Sequence, residues 1–270
     1  MSRRSPAPTP LLAAKAYRAS SVFRPENLLR EARRQKGLRA KAAPSICVLD
    51  PDGDIVRYLV TSGRARPEPA WPCYHTALHV LDEQRQRLGI VSCAVGAPFA
   101  VLVAEELFAS GCELLISITS AGEIVRAGEP PPYFLLIERA LRDEGTSHHY
   151  RAPAAFSLAE PRLIGWVHEG LRRHGIPVIR GTTWTTDAPF RETRRAIRLA
   201  VAQGIRAVEM EAAALYAFAR ARRRSVICFA HVTNRMAQDE GDFEKGVAGG
   251  AEAALRLIGA VTRVWRSGRS

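Results

Sequence analysis

The sequence predicts an α/β layered fold, on three observations. Short apolar segments alternate with segments of helical spacing along the chain after about residue 45. Turn residues rich in Asp, Gly and Pro punctuate the segment ends. The 270 residues are 47% hydrophobic, 7% aromatic and 24% charged, a balance suited to an α/β protein with a sizeable core.

The elements follow in order. Ser45–Leu49 reads as a buried strand that ends in the acidic turn Asp50-Pro51-Asp52-Gly53-Asp54. A Pro-rich loop spans Arg66–Pro72. Strands are expected over His75–Asp82 and Gly89–Val95, the second running into Gly96-Ala97-Pro98. Phe99–Ala109 has helical spacing and stops at Gly111. Leu114–Thr119 is a strand leading to Ser120-Ala121-Gly122-Glu123, and Phe134–Leu141 is a strand or short helix. A helix over Leu158–His174, a strand over Val178–Thr185 and a helix over Arg194–Gln203 come next. Ala207 leads into a helix after Glu211, Val226–Val232 is a strand, and Gly249–Trp265 is a closing helix. In such folds ligands sit beyond the carboxyl ends of the strands.

The five cysteines include no C-x-x-C pair and sit mostly in apolar runs, which predicts reduced, buried thiols. The longest apolar region, Ile90 to Ile124, is broken by Glu105, Glu106 and Glu113, so no membrane span is expected. The N-terminus lacks a hydrophobic signal core, which makes the cytoplasm the default location. The net charge of +12 is uneven: residues 1–42 hold eleven basic and two acidic side chains. Such a segment suits acidic surfaces or nucleic acid, or an organelle transit peptide. The plainer reading is a solvated, partly disordered leader over 1–42 with one amphipathic helix from about Pro25 to Lys36, ahead of a domain over 43–270. No helix-turn-helix or aromatic RNA-binding motif points to nucleic acid as a partner. The cluster Arg220, Arg222, Arg223, Arg224 reads as cations complementing a helix C-terminus.

Val208-Glu209-Met210-Glu211-Ala212-Ala213-Ala214-Leu215-Tyr216 is the most informative stretch. It sets a Met between two carboxylates ahead of a small-residue helix, with Glu209, Ala212, Ala213 and Tyr216 at helical spacing. A Glu211 turned into a cleft is an acceptor suited to a vicinal diol. A Glu211 turned to solvent is an ordinary first-turn acid.

Four segments in order resemble the nucleoside phosphorylase superfamily, nearest its uridine phosphorylase branch. They are Gly96-Ala97-Pro98 through Glu105-Glu106-Leu107, Leu115 to Gly122, the Glu-Met-Glu segment from Val208 to Leu215, and Val232-Thr233-Asn234-Arg235. The resemblance spans roughly residues 45–260. It implies a three-layer α/β/α sandwich with a mixed central sheet, and cleavage of a nucleoside N-glycosidic bond without a metal or organic cofactor. Glu211, with Glu209 beside it, is then the acceptor for the sugar hydroxyls, and Met210 packs under the ribose. Phe190, Arg191, Arg194, Asn234 and Gly122 are the base-binding candidates. Arg235 would stabilise negative charge on a departing oxo-base. Gly96, Ser117, Ser120 and His75 are the candidates for a phosphate or water site. The partner is a small nucleoside, and the family implies a homo-oligomer built from dimers.

Two departures set the chemistry in question. Where the family's phosphorylases place phosphate-binding arginines, this chain has Asp54 and Ser117. An acid after the first strand resembles the family's nucleosidases, in which it activates water; Asp54 takes that part, with Asp50, Asp52 and Glu123 in reserve. Arg64, Arg66, His75 or a neighbouring subunit's arginine are the other ways to hold phosphate. Asn234 lacks the acidic proton that the purine-handling branches use, which favours a pyrimidine or 6-oxopurine base. The nominal expectation is phosphorolysis to free base and ribose 1-phosphate, with phosphate as co-substrate. Hydrolysis and a non-catalytic nucleoside-binding protein are the alternatives.

Overall fold

The computed structural model describes residues 9–83, 86–125, 128, 130–236 and 242–268. One sheet runs through the molecule. Its strands are β1 (Ile46–Asp50), β2 (Ala65–Pro67), β3 (Leu78–Glu83), β4 (Gln86–Ser92), β5 (Leu114–Glu123), β6 (Tyr133–Asp143), β7 (Phe156–Leu158), β8 (Ile179–Thr186), β9 (Ile205–Glu209) and β10 (Ser225–Asn234). The order is β10-β6-β8-β9-β5-β1-β4-β3-β2, with β7 paired to β6. Strand β10 also pairs with β5, so β5, β10, β6, β8 and β9 close on themselves as a small barrel. The sheet is mixed: β1 lies parallel to β4 and β5, whereas β5 meets β9 and β10 meets β6 antiparallel.

The helices are α1 (Pro25–Lys36), α2 (Asp54–Thr61), α3 (Ala97–Ala109), α4 (Ser147–Tyr150), α5 (Pro161–Arg173), α6 (Arg194–Ala202), α7 (Ala212–Arg222) and α8 (Ala251–Ser267). Helices α2, α5 and α8 pack together in one layer; α1, α3, α4 and α7 pack together in another. The α/β layered expectation therefore holds, with helices flanking a mixed sheet.

Local differences from the sequence reading have simple causes. The segment before Leu78 is loop, so β3 starts three residues later than expected. Pro161 sits at the first turn of α5, where its missing N–H is harmless, and this leaves Leu158 in β7. The acidic turn continues into α2, which the alternation did not reveal: Gly53 takes φ 77° and Asp54 opens the helix. Glu209 is the last residue of β9 rather than part of a helix, because the chain turns at Met210 and Glu211 before α7 begins.

Helix α7 has the small residues that let it sit in the centre of its layer. Ala212 through Ala219 are all buried. Tyr216 is 1% exposed, and its hydroxyl donates to the Ile137 carbonyl at 2.6 Å and accepts from the Cys228 N–H at 3.1 Å. One side chain thus pins α7 to β6 and β10 with its polar atom satisfied. The basic leader contributes structure as well. Leu29 and Ala32 of α1 are buried, α1 contacts α3, and Lys36 donates to the carbonyls of Pro72 and Cys73 at 2.9 and 2.7 Å. Cys47, Cys73, Cys112 and Cys228 are buried free thiols and Cys93 is exposed. Among the described residues no helix is long and apolar enough to cross a membrane.

Packing between α5 and α8 leaves no room at Gly170, where an added Cβ would lie 2.2 Å from Val264 Cγ2. Gly170→Ala is expected to destabilise the fold by about 1–3 kcal/mol through overpacking despite its better helix propensity. Thermal unfolding checks this: a melting temperature several degrees lower is the expected result, and an unchanged or higher one would show that the two helices can separate at no loss.

Candidate active site

The site forms where β1, β4, β5 and β9 end and α7 begins. Its anchor is Glu209. One carboxylate oxygen accepts the hydroxyls of Thr183 at 3.0 Å and Thr185 at 2.5 Å; the other accepts the N–H groups of Glu211 and Ala212, each at 2.7 Å. Thr185 in turn accepts the Ala213 N–H at 2.9 Å. The otherwise unpaired donors at the start of α7 are therefore met by β9 and β8. Burial pushes the Glu209 carboxyl up, and its four donors oppose that rise.

With its backbone held this way, Glu211 turns inward at the N-cap and is 1% exposed. One oxygen accepts the Gly96 N–H at 2.7 Å, and the other is buried with no hydrogen-bond partner. Gly96 presents that N–H at φ 87° and ψ 151°, a conformation that only glycine adopts readily. The Thr119 hydroxyl faces the same carboxyl. Burial, with the neighbouring Glu209 charge, pushes Glu211 up to about 8. A buried acceptor with one unmet oxygen is a seat for a hydroxyl donor. Met210, half-buried, stands next to it.

The acidic turn after β1 supplies a second group of charges. Asp52 Oδ2 accepts the Ser120 N–H at 2.9 Å and its hydroxyl at 2.5 Å, and no described residue bonds Oδ1. Asp52 is near enough to raise the Glu211 carboxyl. Asp54 is differently placed: it pairs with Lys245 and Arg57 at 2.5 and 2.6 Å. Burial acts to raise the Asp54 carboxyl, but the hydrogen bonds from Lys245 and Arg57 outweigh it and hold the group below its ordinary value. Lys245 also lies 3.8 Å from Asp52, and so bridges the two acids. Asp50 is buried, accepts the Val56 N–H at 2.9 Å, and is pushed by burial up to about 7. His231, stacked on Phe134 at 4.7 Å, is driven down to about 4 by burial and by Lys245.

The base-side candidates are partly assembled. Gly122 lies beside Asn234 and Val208 in the sheet, and a Cβ there would come within 2.8 Å of Met236 Sδ. Asn234 Oδ1 accepts the Met236 N–H at 2.8 Å and its amide donates to Thr233 at 3.1 Å. Arg235 pairs with the buried Glu123 at 3.2 Å, and Glu123 also accepts the Tyr133 hydroxyl. Phe190 is 99% exposed, and Arg191 and Arg194 are exposed with it. Glu192 beside them is pushed up to about 7 by burial. Of the remaining candidates, Ser117 lies beside Leu49 in the sheet, just ahead of the acidic turn. Ser117 is buried in β5 with no partner for its hydroxyl, and His75 is exposed, its ring edge on Phe99 at 6.4 Å. Arg66 pairs with Asp82 and Arg64 lies over the Tyr58 ring. Among the described residues no group of His, Cys, Asp and Glu is arranged to hold a metal ion.

Lys245 and Thr119 were not among the sequence-derived candidates. Lys245 has no motif around it and reaches Asp54 across 191 residues of chain, and Thr119 reads simply as a strand residue.

Comparison with known proteins agrees with the fold. The profile of the phosphorylase superfamily matches residues 45–266. Solved structures with a similar fold include a uridine phosphorylase from Vibrio fischeri ES114 (22% identity, TM-score 0.68, 83% of this chain and 93% of that one). A purine nucleoside phosphorylase from Toxoplasma gondii in complex with immucillin-H is 14% identical (TM-score 0.69, with the same coverage). An AMP nucleosidase from Bacteroides thetaiotaomicron is 16% identical (TM-score 0.70, 92% of this chain and 99% of that one). At these identities the structural likeness establishes the fold. No curated protein matches the sequence at a significant level.

The raised Glu211 carboxyl has a consequence for stability. Between the ordinary glutamate value of 4.5 and about 8 the folded protein binds a proton that the unfolded chain does not, so this group's contribution weakens as pH rises through that window. Glu211→Gln mimics the protonated form. Its melting temperature relative to the parent protein is expected to rise progressively from about pH 5 to pH 8 and to level off above. A difference that does not change with pH would show that Glu211 titrates normally.

Proposed function

Because this chain belongs to the phosphorylase superfamily, whose profile covers residues 45–266, we propose that it cleaves the N-glycosidic bond of a nucleoside with water as the nucleophile. The observation that carries the choice of water is the charge around the acidic turn. Asp52 and Asp54 face Lys245, and Arg57 is turned to Asp54 with its side chain 68% exposed. A phosphate dianion would meet two carboxylates whose cations, Lys245 and Arg57, are already paired to them, where a clamp of guanidinium groups free to take it is needed. Unit charges 4 Å apart repel by about 1 kcal/mol even in bulk water, and by more near a protein surface.

Glu211 receives the sugar hydroxyls on its unpaired oxygen, and Met210 packs under the ring. As the C1′–N bond lengthens, the sugar becomes oxocarbenium-like and the acceptor strengthens its hold. Asp52, through its open Oδ1, takes a proton from water as the water oxygen bonds to C1′. The bonding pair of the C1′–N bond leaves with the base, which takes a proton from solvent. Free base and free pentose result. Asp54 is a poor base for this step, since Lys245 and Arg57 hold its proton affinity down; its work is to fix Lys245. Arg235 stabilises charge on the leaving base. Asn234 offers no acidic proton to a purine ring nitrogen, which favours a pyrimidine or 6-oxopurine base.

A panel of nucleosides incubated with and without inorganic phosphate tests this reading. Base release is expected at a rate that phosphate does not change. Asp52→Asn is expected to lower kcat by roughly 10²- to 10⁴-fold, the range for loss of a general base, and Asp54→Asn by much less. Glu211→Gln is expected to lower turnover roughly ten- to thousandfold. Saturating dependence on phosphate with ribose 1-phosphate as product would restore phosphorolysis. Nucleoside binding without base release would leave a binding protein.

A further inference from the structure

A cavity of about 720 Å³ lies away from the acidic turn, where β10 begins. Strand β10 enters from it at Ser225 and reaches the candidate site at Asn234, a separation of roughly 30 Å at the usual rise of a strand. Helix α7 joins the same two places: Glu211 caps its start, and Arg220, Arg223 and Arg224 line the cavity at its end.

Two features of the lining go beyond helix-dipole complementarity. Arg162 stands in the first turn of α5, where the dipole disfavours a cation. Arg223 caps α7 at φ 54°, a left-handed position that glycine would hold without strain. Around the cavity Arg162, Arg220, Arg223 and Arg224 face a single carboxylate, Glu160, which pairs with Arg220 at 3.1 Å. Arg224 lies over the Phe108 ring at 5.3 Å. The cavity therefore carries an excess of positive charge beside the open N–H groups of the α5 N-terminus. Trp166, one turn along α5 from Arg162, and Trp265 of α8 form an aromatic wall of the same cavity, their ring centroids 6.0 Å apart.

We infer that this cavity is a second binding site, separate from the site of bond cleavage, for a nucleoside di- or triphosphate. The phosphates lie against the arginines and the α5 N-terminus, where guanidinium forks and backbone N–H groups suit oxyanions. The base lies against the tryptophan wall, where a flat ring gains stacking contact. The volume falls within the range of small-molecule sites. The inference stands independently of whether the catalytic nucleophile is water or phosphate.

Titration of the full-length protein with ATP, followed by tryptophan fluorescence and by calorimetry, tests it. Saturable binding of one ATP per chain with quenching is expected, with adenosine and inorganic tripolyphosphate each at least roughly tenfold weaker, since each makes only half of the contacts. Arg162→Glu with Arg223→Glu is expected to weaken ATP at least tenfold and leave nucleoside cleavage without ATP unchanged. The milder pair Arg162→Ala and Arg223→Ala is expected to act in the same direction if the glutamates disturb folding. Glu211→Gln is expected to leave ATP binding intact. Absent binding, tripolyphosphate binding as tightly as ATP, or ATP affinity that falls with Glu211→Gln and not with the arginine variants would each overturn the inference.

Discussion

The four hydrogen bonds to the Glu209 carboxylate hold the rest of the site in place. A buried carboxylate is tolerated only when its lone pairs are met, and here two hydroxyls from β8 and two N–H groups from the α7 entry meet them. Hydrogen bonds to a charged group contribute about 1.5–3 kcal/mol each, and leaving such a group unmet costs more than the bond itself contributes. The carboxylate thus fixes the separation of β9 and β8 from α7. It also decides which way the following residue faces. Since the Glu211 N–H is spent on Glu209, the Glu211 side chain turns to Gly96, and the second acid of the pair becomes the one available to a ligand.

Two adjacent carboxyls with opposite roles give the site its electrostatic character. The charge of Glu209 and the burial of Glu211 both favour a proton on Glu211 in the empty protein. Hydroxyl donors arriving at its unmet oxygen favour the charged form. In the proposed function, substrate binding and deprotonation of Glu211 are therefore coupled, and a sugar with both hydroxyls in place is the ligand proposed to complete the acceptor. On the other side of the cleft Lys245 sorts the acids of the turn. It makes Asp54 a fixed counter-ion and leaves Asp52 held through one oxygen by Ser120. Asp52 is oriented by Ser120, with Lys245 farther from it, at 3.8 Å, than from Asp54.

Much of this architecture was legible in the sequence, for identifiable reasons. The strand cores of β1, β5, β8 and β10 are runs of apolar and β-branched residues buried on both faces, and such runs announce themselves. The Pro25–Lys36 helix carries its own stop at Gly37, which takes φ 63°. Glu211 was singled out because two acids flank a methionine ahead of an alanine run, although the pattern alone also allowed an ordinary solvent-facing first-turn acid. What stayed hidden depends on long-range contact. Glu209 and Glu211 look alike in sequence, and only the positions of Thr183, Thr185 and Gly96 separate them. Similarly, Asp52 and Asp54 lie two residues apart in one turn, and the difference between them is made by Ser120 and by Lys245, far along the chain. The three-residue strands β2 and β7 carry too few residues for a period to register.

The account's central claim, that water attacks C1′ in a cleft built against phosphate, is tested most directly by isotope labelling. Base release is run in ¹⁸O-labelled water containing inorganic phosphate, and the pentose is trapped by borohydride reduction before its anomeric oxygen can exchange. One ¹⁸O per released pentose, and no sugar phosphate, is the result the account predicts. An unlabelled ribose 1-phosphate accumulating in step with the free base would contradict it.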